Sequence, residues 1–169
     1  VLVNNAGIAA KYLESLTPDG RYDLQPSQER VGDIQVTYDV NVFGPIRVTQ
    51  AFLPLLLAAP AARVVMVSSA AGSIGRALDP TSVIYPTKVM GYNSSKTALS
   101  AITVAFAKEL APQGVKVNAA APGYTATDLN GHRGHRTVQQ AAEIIVRLAT
   151  LDSSGPTAGY FDDDGPVPW

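Results

Sequence analysis

Two runs constrain the fold of this chain more than any other feature: "RVVMVSS" over residues 63–69 and "VKVNAAAPG" over 115–123. Both are nearly continuous in apolar and β-branched residues, where a half-exposed strand would alternate with polar ones. Such a run is a strand buried on both faces, as in a parallel sheet covered by helices. The opening "VLVNNAG" behaves the same way, with three apolar residues running into a turn, and "AGYFDD" over 158–163 is a shorter candidate. Helical patterns at 30–59, 92–111 and 137–150 fill the intervals. Strand and helix in alternation predict an α/β fold, a doubly wound parallel sheet, in one domain over residues 1–169. The "DDDGPVPW" tail reads as an extended surface arm, with Asp162, Asp163 and Asp164 as a solvated turn ahead of it.

Composition narrows the function. The chain has 169 residues, 46% of them hydrophobic, and a net charge of −1. That suffices for one core and supplies no basic stripe for nucleic acid. The absence of cysteine excludes disulfides and thiolate metal sites. The most apolar run, "AFLPLLLAAPAARVVMV", is broken by Pro54, Pro60 and Arg63, so it reads as helix end, turn and strand rather than a membrane span. No signal peptide is visible, and a cytoplasmic location is expected. Asp128, His132 and His135 lie in a loop without further metal ligands and read as solvated.

In parallel α/β sheets, ligands bind beyond the carboxyl ends of the strands, beside helix N-termini. Polar residues gather at those positions here. Asn4 and Asn5 follow the first strand, Ser68 and Ser69 the second, and Pro122, Gly123, Tyr124 and Thr125 the third. Tyr92 and Lys96 open the second helix. At helical spacing, Tyr92, Lys96, Leu99, Thr103, Phe106 and Leu110 form one stripe whose later members are mostly apolar. That stripe should face the sheet, with Tyr92 and Lys96 pointing over the strand ends. A second stripe, Ala98, Ala101, Ile102 and Ala105, consists mostly of small residues and suggests a face where another subunit's helix packs.

The pairing of Tyr92 with Lys96 has a chemical logic. A phenol with a pKa near 10 is a poor base at neutral pH, and lowering it by about three units takes roughly 4 kcal/mol. An ammonium about 5 Å away supplies roughly 3 kcal/mol at an effective dielectric near 20. A phenol tuned in this way can pass a proton to or from the oxygen of a carbonyl/alcohol pair, with a serine hydroxyl on the same oxygen.

These residues resemble the short-chain dehydrogenases/reductases. "NNAG" at 4–7, "DVNVFG" at 39–44, "VSS" at 67–69, "YNSSK" at 92–96 and "PGYTATDL" at 122–129 match that family's motifs in its order. The resemblance implies a Rossmann-type sheet and an NAD(P)-dependent oxidoreductase acting on a carbonyl/alcohol substrate. By that resemblance Tyr92 is the acid/base and Lys96 lowers its pKa and holds the cofactor ribose. Ser69 orients the substrate oxygen and Asn41 anchors a proton-relay water. Asn5, Ala6 and Gly7, with Pro122, Gly123, Thr125 and Thr127, line the cofactor. The sequence by itself does not choose between Ser68 and Ser69. Similarity to carbonyl-reductase-type members implies NADP, with NAD as the alternative. The small-residue stripe makes a homodimer or homotetramer through helices 30–59 and 92–111 the expected assembly.

One expectation rests on covalent structure. Pro45 lies four residues after Asn41 and has no amide hydrogen, so it leaves the Asn41 carbonyl without its helical donor and available to a water. A simple helix kink is the plainer outcome.

The chain also departs from the family pattern. The first three strands and the Gly-rich phosphate turn are absent, so it reads as the C-terminal part of a domain of about 240 residues. "GSIG" at 72–75 reads as a flexible piece of the substrate rim, and "RALDPTSVIYPTKVMG" at 76–91 as part of a lid with apolar Leu78, Val83, Ile84 and Met90. Two other readings stay open: a non-catalytic fragment of such an enzyme, and a sugar-nucleotide epimerase or dehydratase, whose relatives share the Tyr–Lys pair.

Overall fold

The computed structural model describes residues 1–10 and 24–169. Its sheet is ordered β1 (Leu2–Asn4), β2 (Arg63–Val67), β3 (Lys116–Ala120), β4 (Tyr160–Asp162) and β5 (Gly165–Pro166). The first four run parallel and β5 turns back antiparallel on β4. The helices are α1 (Val31–Tyr38), α2 (Gly44–Ala58), α3 (Ile74–Leu78), α4 (Met90–Leu110) and α5 (Val138–Ala149).

The uninterrupted apolar run of β2 now has its reason. Val64 and Met66 point into one core with Leu56, Leu99, Leu110 and Val117, whereas Val65 joins Ala120, Ile144 and Leu148 on the other face. Alternate residues serve opposite layers, so every position of β2 is buried. Helices α2 and α4 cover the first layer and α5 the second, giving the expected doubly wound arrangement.

Between α1 and α2 the helix widens into a π turn, Asp39–Phe43, with the Gly44 amide bonded to the Asp39 carbonyl. Pro45 explains the location: it cannot donate and it crowds the preceding turn, so the ladder shifts register just upstream. The result is more specific than a kink, because the wide turn buries Asn41 and Val42. By length and a mean hydropathy of 1.3, Val31–Ala58 would pass as membrane-spanning. In this fold its buried residues Thr37, Asn41, Val42, Pro45, Thr49 and Leu56 face the protein interior.

Three expectations are corrected. The C-terminal tail is not a surface arm: β5 pairs with β4, Val167 is buried, and the Trp169 ring stacks on Tyr160 with centroids 5.4 Å apart. The three aspartates before it are not all solvated, since Asp162 pairs with Arg76 at 2.6 Å and Asp163 pairs with Arg136. Nor is "GSIG" a loose rim: Gly72 closes a 3-10 turn and Ser73 caps α3, accepting from the Arg76 amide at 3.1 Å.

Candidate active site

Helix α4 carries the Tyr–Lys pair, and its start is set from outside. Val89, at the N-cap, offers no side-chain cap. The Glu29 carboxylate takes that role, accepting from the Met90 amide and, at 2.7 Å, from the Gly91 amide. A carboxylate at this end satisfies two orphan donors and meets the positive end of the helix dipole. Gly91 makes the approach possible, because a Cβ there would lie 3.0 Å from Glu29 Oε2 and 3.2 Å from Ile34 Cγ1. Tyr92 therefore sits in the first turn of a helix whose beginning is fixed.

Along α4 the expected stripe faces inward: Lys96, Leu99, Thr103 and Leu110 are buried. Lys96 is 4% exposed, and its Nζ donates to the Val67 carbonyl at 2.9 Å and lies 5.7 Å from the centre of the Tyr92 ring. Burial pulls the Lys96 ammonium down to about 8. The Tyr92 hydroxyl is pushed above its ordinary value by burial and pulled back by a hydrogen bond with the Ser69 side chain. In the protein by itself the desolvation of the Tyr92 phenol outweighs the Ser69 hydrogen bond that favours its phenolate.

The same geometry separates the two serines. Ser68 is 3% exposed, its hydroxyl donating to the Lys96 carbonyl at 3.3 Å and its amide to the Ala120 carbonyl at 2.7 Å. Ser69, one residue further along an extended backbone, turns to the opposite side and meets Tyr92. Period-two alternation at the strand end makes Ser68 an anchor and Ser69 the residue on the phenol.

Asn41 is completely buried, and its side chain is used in full. Its Oδ1 accepts from the Ile8 amide at 2.8 Å, while its Nδ2 donates to the Ile8 carbonyl at 2.8 Å and to Ser95 Oγ at 3.0 Å. The π turn thus clamps the segment after β1, with Thr37 Oγ1 adding a bond from the Ala10 amide at 3.3 Å. Asn4 is not part of the cleft: it is buried in β1 and donates to Thr49 Oγ1 at 3.0 Å. Asn5 and Ala6 are exposed just beyond it. A Cβ on Gly7 would sit 3.3 Å from Lys96 Nζ and 3.4 Å from Asn41 Oδ1, so this turn closes directly over the lysine.

The loop after β3 completes the edge. Gly123 has φ +78°, a conformation that favours glycine, and a Cβ there would also meet Arg136 Cδ at 2.6 Å. Thr125 bridges Arg136, its carbonyl accepts from Asn130 Nδ2 at 2.8 Å, and the Thr127 amide donates to Asn130 Oδ1 at 3.3 Å. Pro122 is partly exposed between this loop and the strand. The sheet register (Asn4 beside Met66, Val67 beside Ala120) brings the three strand ends together. Ile74, Leu78, Val83, Tyr85 and Met90 remain exposed on the segment between Ser69 and Tyr92. His132 pairs with Asp128 at 2.8 Å on the surface, and no group of metal-ligating side chains occurs among the described residues.

Sequence reasoning missed two residues here. Glu29 had no local signal, since its partners lie 61 and 62 positions away. Tyr160 is 2% exposed, and its hydroxyl donates to the Ser69 carbonyl. It opens β4 rather than ending it, so its position in the strand gave no signal.

Comparison with known proteins agrees with this fold. Residues 1–137 match the family model described as short chain dehydrogenase. The chain is 36% identical over 169 residues to "Short-chain dehydrogenase anuI" of Penicillium roqueforti, covering 97% of this chain and 62% of that protein. Among solved structures it is similar to the "Carbonyl reductase Sniffer of D. melanogaster", with TM-score 0.78, 26% identity, and coverage of 99% of this chain and 65% of that one. It is also similar to an NADPH-bound carbonyl reductase from chicken fatty liver, with TM-score 0.76, 26% identity and the same coverage, 99% and 65%. The chain thus spans somewhat under two thirds of the length of these three relatives.

Proposed function

Because the chain belongs to the short chain dehydrogenase family, we propose that it carries the proton-transfer centre of an NADP- or NAD-dependent oxidoreductase that interconverts a carbonyl and an alcohol. The observation that carries this reading is the Tyr92 hydroxyl hydrogen-bonded to Ser69, with the Lys96 ammonium buried beneath the same ring.

The residues present fit a nicotinamide cofactor. The exposed Asn5–Ala6 turn, Gly7 closing over Lys96, and the loop of Pro122, Gly123, Thr125 and Thr127 form a cradle at the three strand ends. An ammonium has three donors and Lys96 spends one on Val67, which leaves two for ribose hydroxyls. The cofactor supplies or accepts the hydride. Tyr92 gives its proton to the substrate oxygen in reduction, or takes it in oxidation, and Ser69 donates to that oxygen as charge develops. The Asn41 side chain holds the Ile8 segment, so any contact with a relay water falls to its main-chain carbonyl, which Pro45 deprives of the usual helical donor. A positive nicotinamide ring beside the phenol would add to Lys96 in lowering the Tyr92 pKa.

The names of the carbonyl reductase neighbours support a carbonyl substrate, and the exposed Leu78, Val83 and Met90 favour an apolar one. The exposed Phe43, Val48, Phe52 and Leu55 on the α2 side, with Ala101 and Ala105 exposed on α4, favour a second copy of the chain as partner. The competing reading is a non-catalytic chain of the same fold.

One assay decides between the two readings: cofactor oxidation by the full-length protein against a panel of ketones and aldehydes, with Tyr92→Phe as control. Turnover that falls by about a hundredfold or more in the variant supports the acid/base role. Full activity in Tyr92→Phe removes that role, and no turnover on any carbonyl favours the non-catalytic reading.

A further inference from the structure

The C-terminal ten residues do more than finish the sheet. Tyr160 lies on β4 opposite Ala119 and is 2% exposed. Its ring is stacked by Trp169 at an interplanar angle of 27°, and its main chain accepts from the Val167 amide at 2.8 Å. The segment between Ser69 and α3 is tied to the same strap at several points. Ser73 Oγ donates to the Pro168 carbonyl, the Gly75 amide donates to the Trp169 carbonyl at 3.2 Å, and Arg76 pairs with Asp162 at 2.6 Å. A Cβ on Gly75 would be 3.0 Å from Pro168 Cβ, so the two segments lie in close contact. The hydroxyl of Tyr160 makes the remaining tie, donating to the main-chain oxygen of Ser69 itself.

We propose that Tyr160 is a positioning residue that acts through Ser69: its hydroxyl, held rigid by β4 and Trp169, fixes the Ser69 backbone so that the Ser69 side chain stays on the Tyr92 phenol. The role rests on the acid/base reading of Tyr92 for its consequence in catalysis, and on geometry alone for its consequence in the protein. Ser69 has an anchor on each side. Ser68 pins it to β3 and α4, and Tyr160 pins it to β4. Two phenols flank one serine with different tasks. Tyr160 commits its proton to a carbonyl oxygen, and burial, opposed by a side-chain hydrogen bond with Ser68, pushes it up to about 12. It therefore stays protonated and donates, leaving proton exchange to Tyr92.

A core tyrosine that merely fills space would act through packing. Tyr160→Phe keeps the ring and its stack on Trp169 and removes only the donor. The readout is the ionisation of Tyr92, followed in the full-length protein by NMR of isotope-labelled tyrosine Cζ, with the signal assigned by its loss in Tyr92→Phe. Because the Ser69 bond lowers the Tyr92 pKa, Tyr160→Phe should raise it, by about half a unit or more. Ser69→Ala should raise it as well, and adding Tyr160→Phe to Ser69→Ala should do nothing further. Val167→Ala loosens the strap without touching the hydroxyl and should leave the titration unmoved. The proposal is overturned if Tyr160→Phe leaves the Tyr92 titration in place, if its effect adds to that of Ser69→Ala, or if Val167→Ala shifts it equally. None of these outcomes depends on turnover, so failure of the catalytic reading shows separately, as activity retained in Tyr92→Phe.

Discussion

Gly72 lies against Lys96 with room for nothing larger than hydrogen: a Cβ on Gly72 would fall 2.7 Å from both the Cβ and the carbonyl carbon of Lys96. The contact is reinforced by Thr97 Oγ1, which donates to the Gly72 carbonyl at 2.9 Å. The turn after the serine strand and the helix bearing the phenol are thereby one packed unit, and the glycine is required for space rather than for an unusual backbone angle. Gly72→Ala should force the turn off the helix and cost about 1–3 kcal/mol in denaturant unfolding. Gly32 is the matched control, since a Cβ there meets nothing within 4 Å. Gly32→Ala in α1 should be neutral or stabilising by up to about 1 kcal/mol. Equal losses at both positions would show that the Gly72 contact is not special.

Lys96 gives the fold a pH dependence. Its ammonium is held at about 8 by burial, against 10.5 for an unhindered lysine. Between those values the unfolded chain keeps a proton that the folded chain has released. Stability therefore rises with pH across that window, and below it the folded protein carries the full cost of a buried charge. The shift corresponds to at most about 3 kcal/mol. Above pH 10 the trend is opposed by Tyr160, whose buried phenol at about 12 keeps a proton that the unfolded chain has lost. Urea unfolding at pH 7, 8.5 and 9.5 should show the rise in the parent protein, and Lys96→Met should flatten it. A parallel rise in Lys96→Met would assign the effect elsewhere.

Asn41 should behave as a structural clamp as much as a site residue. Removing its amide leaves the Ile8 amide and carbonyl and the Ser95 hydroxyl without their partner. Asn41→Ala should cost about 2–4 kcal/mol. Asn41→Asp presents an acceptor to the Ile8 carbonyl where a donor is required, so it should not restore stability. Thermal melts of the two variants beside the parent check this, and a fully stable Asn41→Asp would contradict the orientation of the amide.

Glu29 should stabilise α4 from a distance. Glu29→Gln can keep one of the bonds to the Met90 and Gly91 amides but loses the charge at the helix N-terminus, a change of about 0.5–2 kcal/mol. Hydrogen exchange of the first turn of α4, which contains Tyr92, should speed up in the variant while the amides of Leu99–Leu110 hold. Uniform acceleration along the helix would instead mean global destabilisation.

Much of this was legible beforehand because local pattern and tertiary environment agree. The unbroken apolar run of β2 is forced by burial on two faces, and the stripe from Lys96 to Leu110 is forced by helix geometry, so both could be read from spacing. The proline at position 45 announced a disturbed helix, though not that the disturbance would be a π turn burying Asn41. The tail was misread because its short apolar residues form no periodic pattern; only the antiparallel return of β5 gives Val167 and Trp169 a place to pack.

The sequence by itself determined the α/β class, the strand ends where polar groups gather, and the placement of Tyr92 and Lys96 at the start of an inward-facing helix stripe. Those follow from periodicity, which is a property of neighbouring residues. Tertiary structure alone decided that Ser69 rather than Ser68 meets the phenol, that burial raises Tyr92, and that Glu29 and Tyr160 hold the helix start and the serine. Each of these depends on which side of a strand end a residue falls and on partners brought in from distant segments. Desolvation and long-range hydrogen bonds exist only once the sheet has assembled, and no local pattern encodes them.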